Sequence, residues 1–210
     1  MTGFRGRWLP LTVLVAAVAA LIVSLVWAAG GGSPSWQSGP RAMMGVVTRS
    51  GAVHNLSDAD RAAARFADRW GLRVGEVMQF SNGYYAQLLA SDGGRATEVL
   101  IDPGSGTVRL EFGPAMMWNT AYGMMPGPRQ SGAVAIAPDQ AVRIADRWLS
   151  EHHTGLHAAE PDRFPGYYTL HTLRGDRIVG MLSVNSGTGD VWYHAWHGRF
   201  IQMREQPNKT

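Results

Sequence analysis

The chain has no cysteine among its 210 residues. Disulfides, thiolate nucleophiles and thiolate metal sites are therefore excluded together. This suits an oxidising compartment, where a stray thiol is a liability. Charge is also scarce, at 17%. Lys and Arg number 19 and Asp and Glu 16, and setting aside Arg5 and Arg7 leaves 17 basic residues in the rest of the chain. That remainder is near neutral and carries no basic run or basic helix face, so no nucleic-acid partner is expected. Enzyme signatures are missing as well. There is no His-Glu-x-x-His, no Gly-x-Ser-x-Gly, no phosphate-binding loop with Lys and no dinucleotide fingerprint.

What is present begins with an uncharged stretch. Leu9 to Ala29 holds no charged residue, and only Pro10, Thr12 and Ser24 interrupt its apolar run. At ~1.5 Å per residue such a helix spans roughly 30 Å, the thickness of a bilayer core. Arg5 and Arg7 precede it and no comparable basic cluster follows. The distribution predicts a single-pass anchor, with the N-terminus cytoplasmic and the body extracytoplasmic. A signal peptide processed near Val26-Trp27-Ala28 is the alternative, and it also exports the body to a periplasmic or extracellular compartment. Residues 31–55, rich in Gly, Pro and Ser, read as a flexible linker.

The body repeats itself. Ala67-Asp68-Arg69-Trp70 returns as Ala145-Asp146-Arg147-Trp148, and Gly83-Tyr84-Tyr85 returns as Gly166-Tyr167-Tyr168. Asp102-Pro103-Gly104-Ser105-Gly106-Thr107-Val108 returns in outline as Asn185-Ser186-Gly187-Thr188-Gly189-Asp190-Val191. From the Gly-Tyr-Tyr onward the offset is a constant 83 residues, so Arg109-Leu110-Glu111-Phe112 match Trp192-Tyr193-His194-Ala195. Three motifs in one order indicate a duplicated module.

Each copy reads as a helix followed by strands. Ser57 with Asp60 predicts an N-cap, and Ala59, Ala63, Phe66 and Trp70 recur at helical spacing before Gly71. In the second copy Pro138 suits the first turn, and Ala141, Ile144, Ala145 and Trp148 form the matching stripe. Strands are predicted over 84–90, 96–101 and 107–112, then over 167–173, 177–184 and 190–197, joined by glycine-containing turns. The expected fold is α+β. A transmembrane helix precedes two repeated units, each a helix plus an antiparallel three-stranded meander. The units pack together with their sheets side by side, because ~60 residues make a marginal core alone.

A Trp-ended helix, then strands with an Asp/Asn-x-x-x-Gly turn before the last, resembles the PepSY domain over 56–112 and 136–203. The ending Val191-Trp192-Tyr193-His194-Ala195-Trp196-His197-Gly198 is also similar to the C-terminus of exported proteins of this type. The resemblance implies an inhibitory or binding module and brings no catalytic residues. The chain then divides into a cytoplasmic stub and anchor (1–30), the linker (31–55), repeat one (56–113), a Met-rich inter-repeat segment (114–135), repeat two (136–203) and a tail (204–210).

Two places hold candidate chemistry. Met116, Met117, Met124 and Met125 form two pairs between the repeats, and Met43-Met44 adds a third. Thioether sulfur suits Cu(I) in an exported protein, while methionine also fills irregular gaps between packed units. His194 and His197 are the imidazoles that would join such a copper site. In a regular strand they face opposite sides and do not chelate one ion, unless a bulge near Ala195 turns one of them. Otherwise each is a hydrogen-bonded member of an aromatic edge. His152, His153 and His157 are expected to face water. The favoured expectation is a non-enzymatic, membrane-anchored binding or regulatory protein acting on a peptidase, an envelope protein or a membrane complex. Copper handling and a hydrolase with a dispersed site are the alternatives.

Overall fold

The computed structural model describes residues 51–124 and 136–204. The expected anchor, Met125 and most of the expected linker and tail lie outside the described residues; of the linker, 51–55 are described and Val53 is buried in the first core, and of the tail Arg204 is described and ends a strand. Among the described residues no helix is long and apolar enough to cross a membrane.

Helix α1 (Leu56–Asp68) starts at Asn55, not at Ser57. The Asn55 carboxamide oxygen accepts from the Asp58 backbone N–H at 3.0 Å, and the Asp58 carboxylate accepts in return from His54 N–H at 3.0 Å. These bonds satisfy donors that the first helical turn cannot pair. Ala59, Ala62, Ala63, Phe66 and Ala67 are buried. The helix stops before Trp70, which packs half-buried at the rim of that core. Strands β1 (Arg73–Phe80), β2 (Gly83–Leu89), β3 (Arg95–Ile101) and β4 (Val108–Leu110) follow.

A one-turn helix, α2 (Pro114–Met117), leads towards the second copy. There α3 (Pro138–His152) precedes β5 (His157–Phe164), β6 (Tyr167–Arg174), β7 (Arg177–Asn185) and β8 (Val191–Tyr193). A last strand, β9 (Phe200–Arg204), does not stay with the second copy. It pairs antiparallel with β1, giving sheets ordered β4-β3-β2-β1-β9 and β5-β6-β7-β8.

Each module is therefore a helix on a four-stranded meander, one strand more than the three expected. The added strands are β1 and β5, and both hide their pattern. A register shift at Val74/Val77 interrupts β1, where a Cβ on Gly75 would meet the Leu89 side chain at 3.1 Å. Strand β5 contains Pro161 beside a similar shift, which is tolerated because β5 is an edge strand.

The sheets are stacked, not side by side. The face of each sheet towards its own helix forms an apolar core: Val77, Tyr84, Ala86, Val99 and Ile101 in module one, and Tyr168, Leu170, Leu182 and Val184 in module two. The other two faces meet each other, with Met78, Tyr85 and Met181 in one shared cluster. The order of layers is helix, sheet, sheet, helix.

Strand pairing also corrects the Gly-Tyr-Tyr match. Tyr84 pairs with Ile101 and Tyr168 with Val184, both against their helices. The true counterpart of Tyr84 is Tyr168, one residue beyond the sequence match. A one-residue slip moves a side chain to the opposite face of a sheet. Tyr85 and Tyr167 thus share the inner interface.

Candidate functional site

The inner interface is polar where the expected helix–sheet pattern would have left it apolar. Glu98 on β3 is fully buried, and its two oxygens accept from Tyr85 OH at 2.5 Å and from Tyr167 OH at 2.7 Å. One tyrosine comes from each module. At the same interface His171 Nε2 lies 3.1 Å from Glu76 Oε1, and Gln87 Nε2 donates to Asp162 at 2.5 Å.

Glu111 stands just beyond β4, and its backbone N–H donates to Glu98 C=O at 2.9 Å. It sits next to Glu98 in an interior that excludes water. Burial raises the Glu98 carboxyl towards about 8, and the charge of Glu111 adds to this, against the opposing pull of His194 and the tyrosine hydroxyls. Burial would raise Glu111 too, but His194 and His197 outweigh it and bring Glu111 down to about 2. Two neighbouring carboxyls are thus pushed to opposite protonation states, one kept neutral and one kept ionised, by which of them faces the imidazoles.

The imidazoles reach Glu111 because the last predicted strand ends early. β8 stops at Tyr193. The chain then turns, with Ala195 N–H donating to Tyr193 C=O at 2.9 Å and His197 N–H to His194 C=O at 3.2 Å. The turn brings both rings to one side, stacked with centroids 5.6 Å apart. The expectation for a regular strand, that they face opposite ways, is corrected. His197 Nε2 lies 2.6 Å from Glu111 Oε1, and Trp196 Nε1 donates to the same oxygen at 3.1 Å. His194 Nε2 lies 3.0 Å from Ser183 Oγ, which is itself 2.9 Å from Thr169 Oγ1. His194 Nδ1 is 3.2 Å from Glu111 Oε1 but is not aimed for a hydrogen bond. His194 Nδ1 and Glu111 Oε2 are left buried without partners. The Glu111 and His194 side chains are 0% exposed and that of His197 is 5% exposed. One ligand-capable atom from each of the three residues lies within 4.8 Å of the others.

The methionines are placed differently. Met116 is half-buried against the first core, which fits the gap-filling role. Met117 and Met124 are exposed, at 56% and 42%. The segment around them is a wedge that holds both modules. Asn119 Nδ2 donates to Ala96 C=O at 2.8 Å in module one, and Thr120 N–H donates to Pro165 C=O at 3.0 Å in module two. His152 is exposed, yet its ring stacks on Trp148 at 4.4 Å.

Outside the buried cluster the aromatics continue to the surface. Trp118, Trp192, Trp196 and Phe112 follow one another with ring centroids 5.6, 6.5 and 6.5 Å apart. The Arg109 guanidinium lies 4.6 Å over Phe112. Phe112 and Trp192 are 42% and 39% exposed. An open pocket beside this row is lined by Asn82, Arg109, Phe112, Trp196 and His197.

Glu98 and Glu111 were not foreseen as site residues. A lone carboxylate in a strand reads as a solvent-facing position. The available signal was that Glu111 and His194 occupy matching positions of the two copies, and such positions meet when the modules stack on equivalent faces.

No family model matches this chain, and no curated relative matches it. Among solved structures it is similar to the Bacillus megaterium YpeB C-terminal domain, at 10% identity and a TM-score of 0.31, over 76% of this chain and 68% of that one. A likeness that loose carries no family assignment.

Proposed function

We propose that the protein is a non-enzymatic, membrane-tethered extracytoplasmic binding or regulatory protein built on two PepSY-like modules. Its partner would be a peptidase, an envelope protein or a membrane complex. The observation that carries this reading is the row of Trp118, Trp192, Trp196 and Phe112 at the joint between the modules, in which Phe112 and Trp192 are exposed. Exposed, contiguous aromatic surface is what protein partners bury; aromatic residues and Arg are enriched in such contacts, and Trp and Arg are prominent among the residues that carry their affinity. The row draws on both copies and on the wedge between them, so it exists only in the duplicated body. A hydrolytic role has less support. The buried carboxylate–imidazole pair of Glu111 and His194 is fully closed to solvent.

The test is affinity capture from detergent-solubilised membranes with the full chain and with a Phe112→Ser/Trp192→Ser variant. A partner recovered in stoichiometric amount by the wild type and lost by the folded variant is the expected result. Absence of such a partner, or equal recovery by the variant, overturns the reading.

Copper handling remains a second reading, because Met117 and Met124 are turned outwards instead of being packed away. Anaerobic Cu(I) titration of the full chain tests it. Binding abolished by Met→Leu changes at Met116, Met117, Met124 and Met125 supports it, and unchanged binding removes it.

A further inference from the structure

We propose that Glu111, His194 and His197 are ligands of one buried divalent transition-metal ion of the zinc class, which ties module two and the C-terminal crossover to module one. The proposal does not depend on the partner-binding reading.

The donor set is one carboxylate and two imidazoles, a combination that suits zinc and its neighbours and is unsuited to calcium or magnesium. Two of the required donor atoms, His194 Nδ1 and Glu111 Oε2, are buried and unpartnered. Leaving buried polar atoms unpaired is costly, and two of them in one cluster indicate that something polar belongs between them. The contact between His194 Nε2 and Ser183 Oγ at 3.0 Å orients the ring so that Nδ1 lies 3.2 Å from Glu111 Oε1, on the side where an ion would sit. A tetrahedral ion with bonds of ~2.1 Å needs donors about 3.4 Å apart. Ligand-capable atoms of the three residues lie within 4.8 Å of one another, and His197 Nε2 sits 2.6 Å from Glu111 Oε1, so ligation exchanges that hydrogen bond for a bond to the ion.

The surroundings match what metal ligands need. A ligating histidine is usually oriented through its other nitrogen, and Ser183, backed by Thr169, does this for His194. Trp196 Nε1 holds Glu111 by Oε1 and leaves Oε2 free to bind. The three ligands come from three places: the edge of module one, the end of β8, and the crossover that delivers β9 to β1. The crossover is already clamped at its other end, where Asn82 bonds Trp196 C=O and Gly198 N–H, each at 2.8 Å. An ion here would complete the fastening from inside.

The experiment uses the full chain in detergent, stripped with a chelator and titrated with Zn(II) against a chromogenic competitor. The expected result is one saturable ion per chain. Zn(II) at a hundredfold excess over its dissociation constant should raise the unfolding temperature by about 5–10 °C. Ser183→Ala should weaken binding ~10–100-fold, as loss of an outer partner does. His197→Gln should weaken it further, with near-UV circular dichroism confirming the fold. Glu111→Gln, which keeps the size and the acceptor oxygen, guards against a variant that fails to fold. X-ray absorption should show nitrogen and oxygen neighbours only. No saturable binding by folded wild type, equal affinity in both ligand variants, or sulfur in the first shell would overturn the proposal; the last outcome would move the metal to the methionine segment.

Discussion

Module one brings carboxylates to the inner interface: Glu76, Glu98 and Glu111. Module two brings mostly hydroxyls and imidazoles: Tyr167, Thr169, His171, Ser183 and His194; Asp162, which pairs with Gln87 and Arg95 of module one, runs the other way at the edge strand. The helix-facing sides show no such divergence, since both are alanine on the helix and branched or aromatic residues on the sheet. A duplicated module starts with two identical faces, and two identical carboxylate faces would repel in a dry interior. Opposing an acid with a donor at each contact turns self-repulsion into pairing: Glu76 with His171 and Glu98 with Tyr167 in one sense, and Asp162 with Gln87 in the other. The duplication is thus conserved in its scaffold and complementary in its contact surface. The two modules are not interchangeable, and two copies of either one would not reproduce the interface.

The sharpest way to break the symmetry of the two copies is at Gly83 and Gly166, which match in sequence but stand one residue apart in the register of the two sheets. Gly166 adopts φ +94°, and a Cβ there would sit 2.2 Å from Trp118 C=O. Gly83 has an ordinary φ, and its Cβ would meet Ile101 C=O at 3.2 Å. Gly166→Ala should destabilise by ~2–4 kcal/mol, combining backbone strain with displacement of the wedge. Gly83→Ala should cost about 1 kcal/mol. Urea denaturation of the two variants measures the difference, and equal losses would show that the two turns are equivalent after all.

The next test concerns the two carboxyls of module one. The folded state holds the Glu98 proton up to about 8, whereas an ordinary glutamate releases it near 4.5. Between those values the unfolded chain binds fewer protons, so stability falls as pH rises through that window. Glu111 acts with the opposite sign. Its folded value is about 2, so its contribution is present above 4.5 and lost as pH falls towards 2. Glu98→Gln should therefore flatten the decline between pH 5 and 8, by on the order of 2 kcal/mol across the window, and leave the acid limb in place. Parallel stability curves for wild type and variant would mean that Glu98 is ionised in the folded protein.

A smaller effect separates contacts within a module from contacts between modules. Tyr85 and Tyr167 both donate to Glu98, but only Tyr167 crosses the interface. Tyr167→Phe should cost about 1–2 kcal/mol, the range for a lost bond to a buried acceptor. A double-mutant cycle with Glu98→Gln should recover much of that as coupling. No coupling would mean that the tyrosine packs against the carboxyl without bonding to it.

Much of this was readable beforehand, in uneven ways. The helical stripes through Ala59, Ala63 and Phe66 and through Ala141 and Ala145 were, because a 3.6-residue period survives in any helix with one buried side. The glycine turns were legible as well, since Gly106 and Gly189 take φ of +63° and +79°, a region that favours glycine. Strands β1 and β5 were not. Their register shifts and Pro161 break the alternation on which strand reading depends. The Gly-Tyr-Tyr match placed its tyrosines on the wrong faces by one residue, and no local pattern reports such a slip. The site was half legible. His194 and His197 stood out by type, while their convergence depended on a turn after Tyr193 and on a partner, Glu111, from the other copy. A contact between residues 83 apart leaves no periodic trace, and only the repeat equivalence hinted at it.

The smallest expected effect lies at the helix starts, where the copies solve one problem unequally. Asn55 caps α1 with its side chain, accepting from Asp58 N–H at 3.0 Å. Ala137 before α3 has no side-chain cap, and only Gln140 reaches back, accepting from Ala137 N–H at 2.9 Å. Asn55→Ala should cost ~1 kcal/mol, and Ala137→Ser should gain about 0.5 kcal/mol by supplying the missing acceptor. Pro138 at the first turn of α3 limits the gain, because one orphan N–H is already absent there. If the two substitutions shifted the urea midpoint by similar amounts in opposite directions, the capping difference between the modules would be a matter of residue choice. If Ala137→Ser gave nothing, the extended backbone at Ala137 (φ −74°, ψ 156°) would be held by the chain that precedes it and not by its cap.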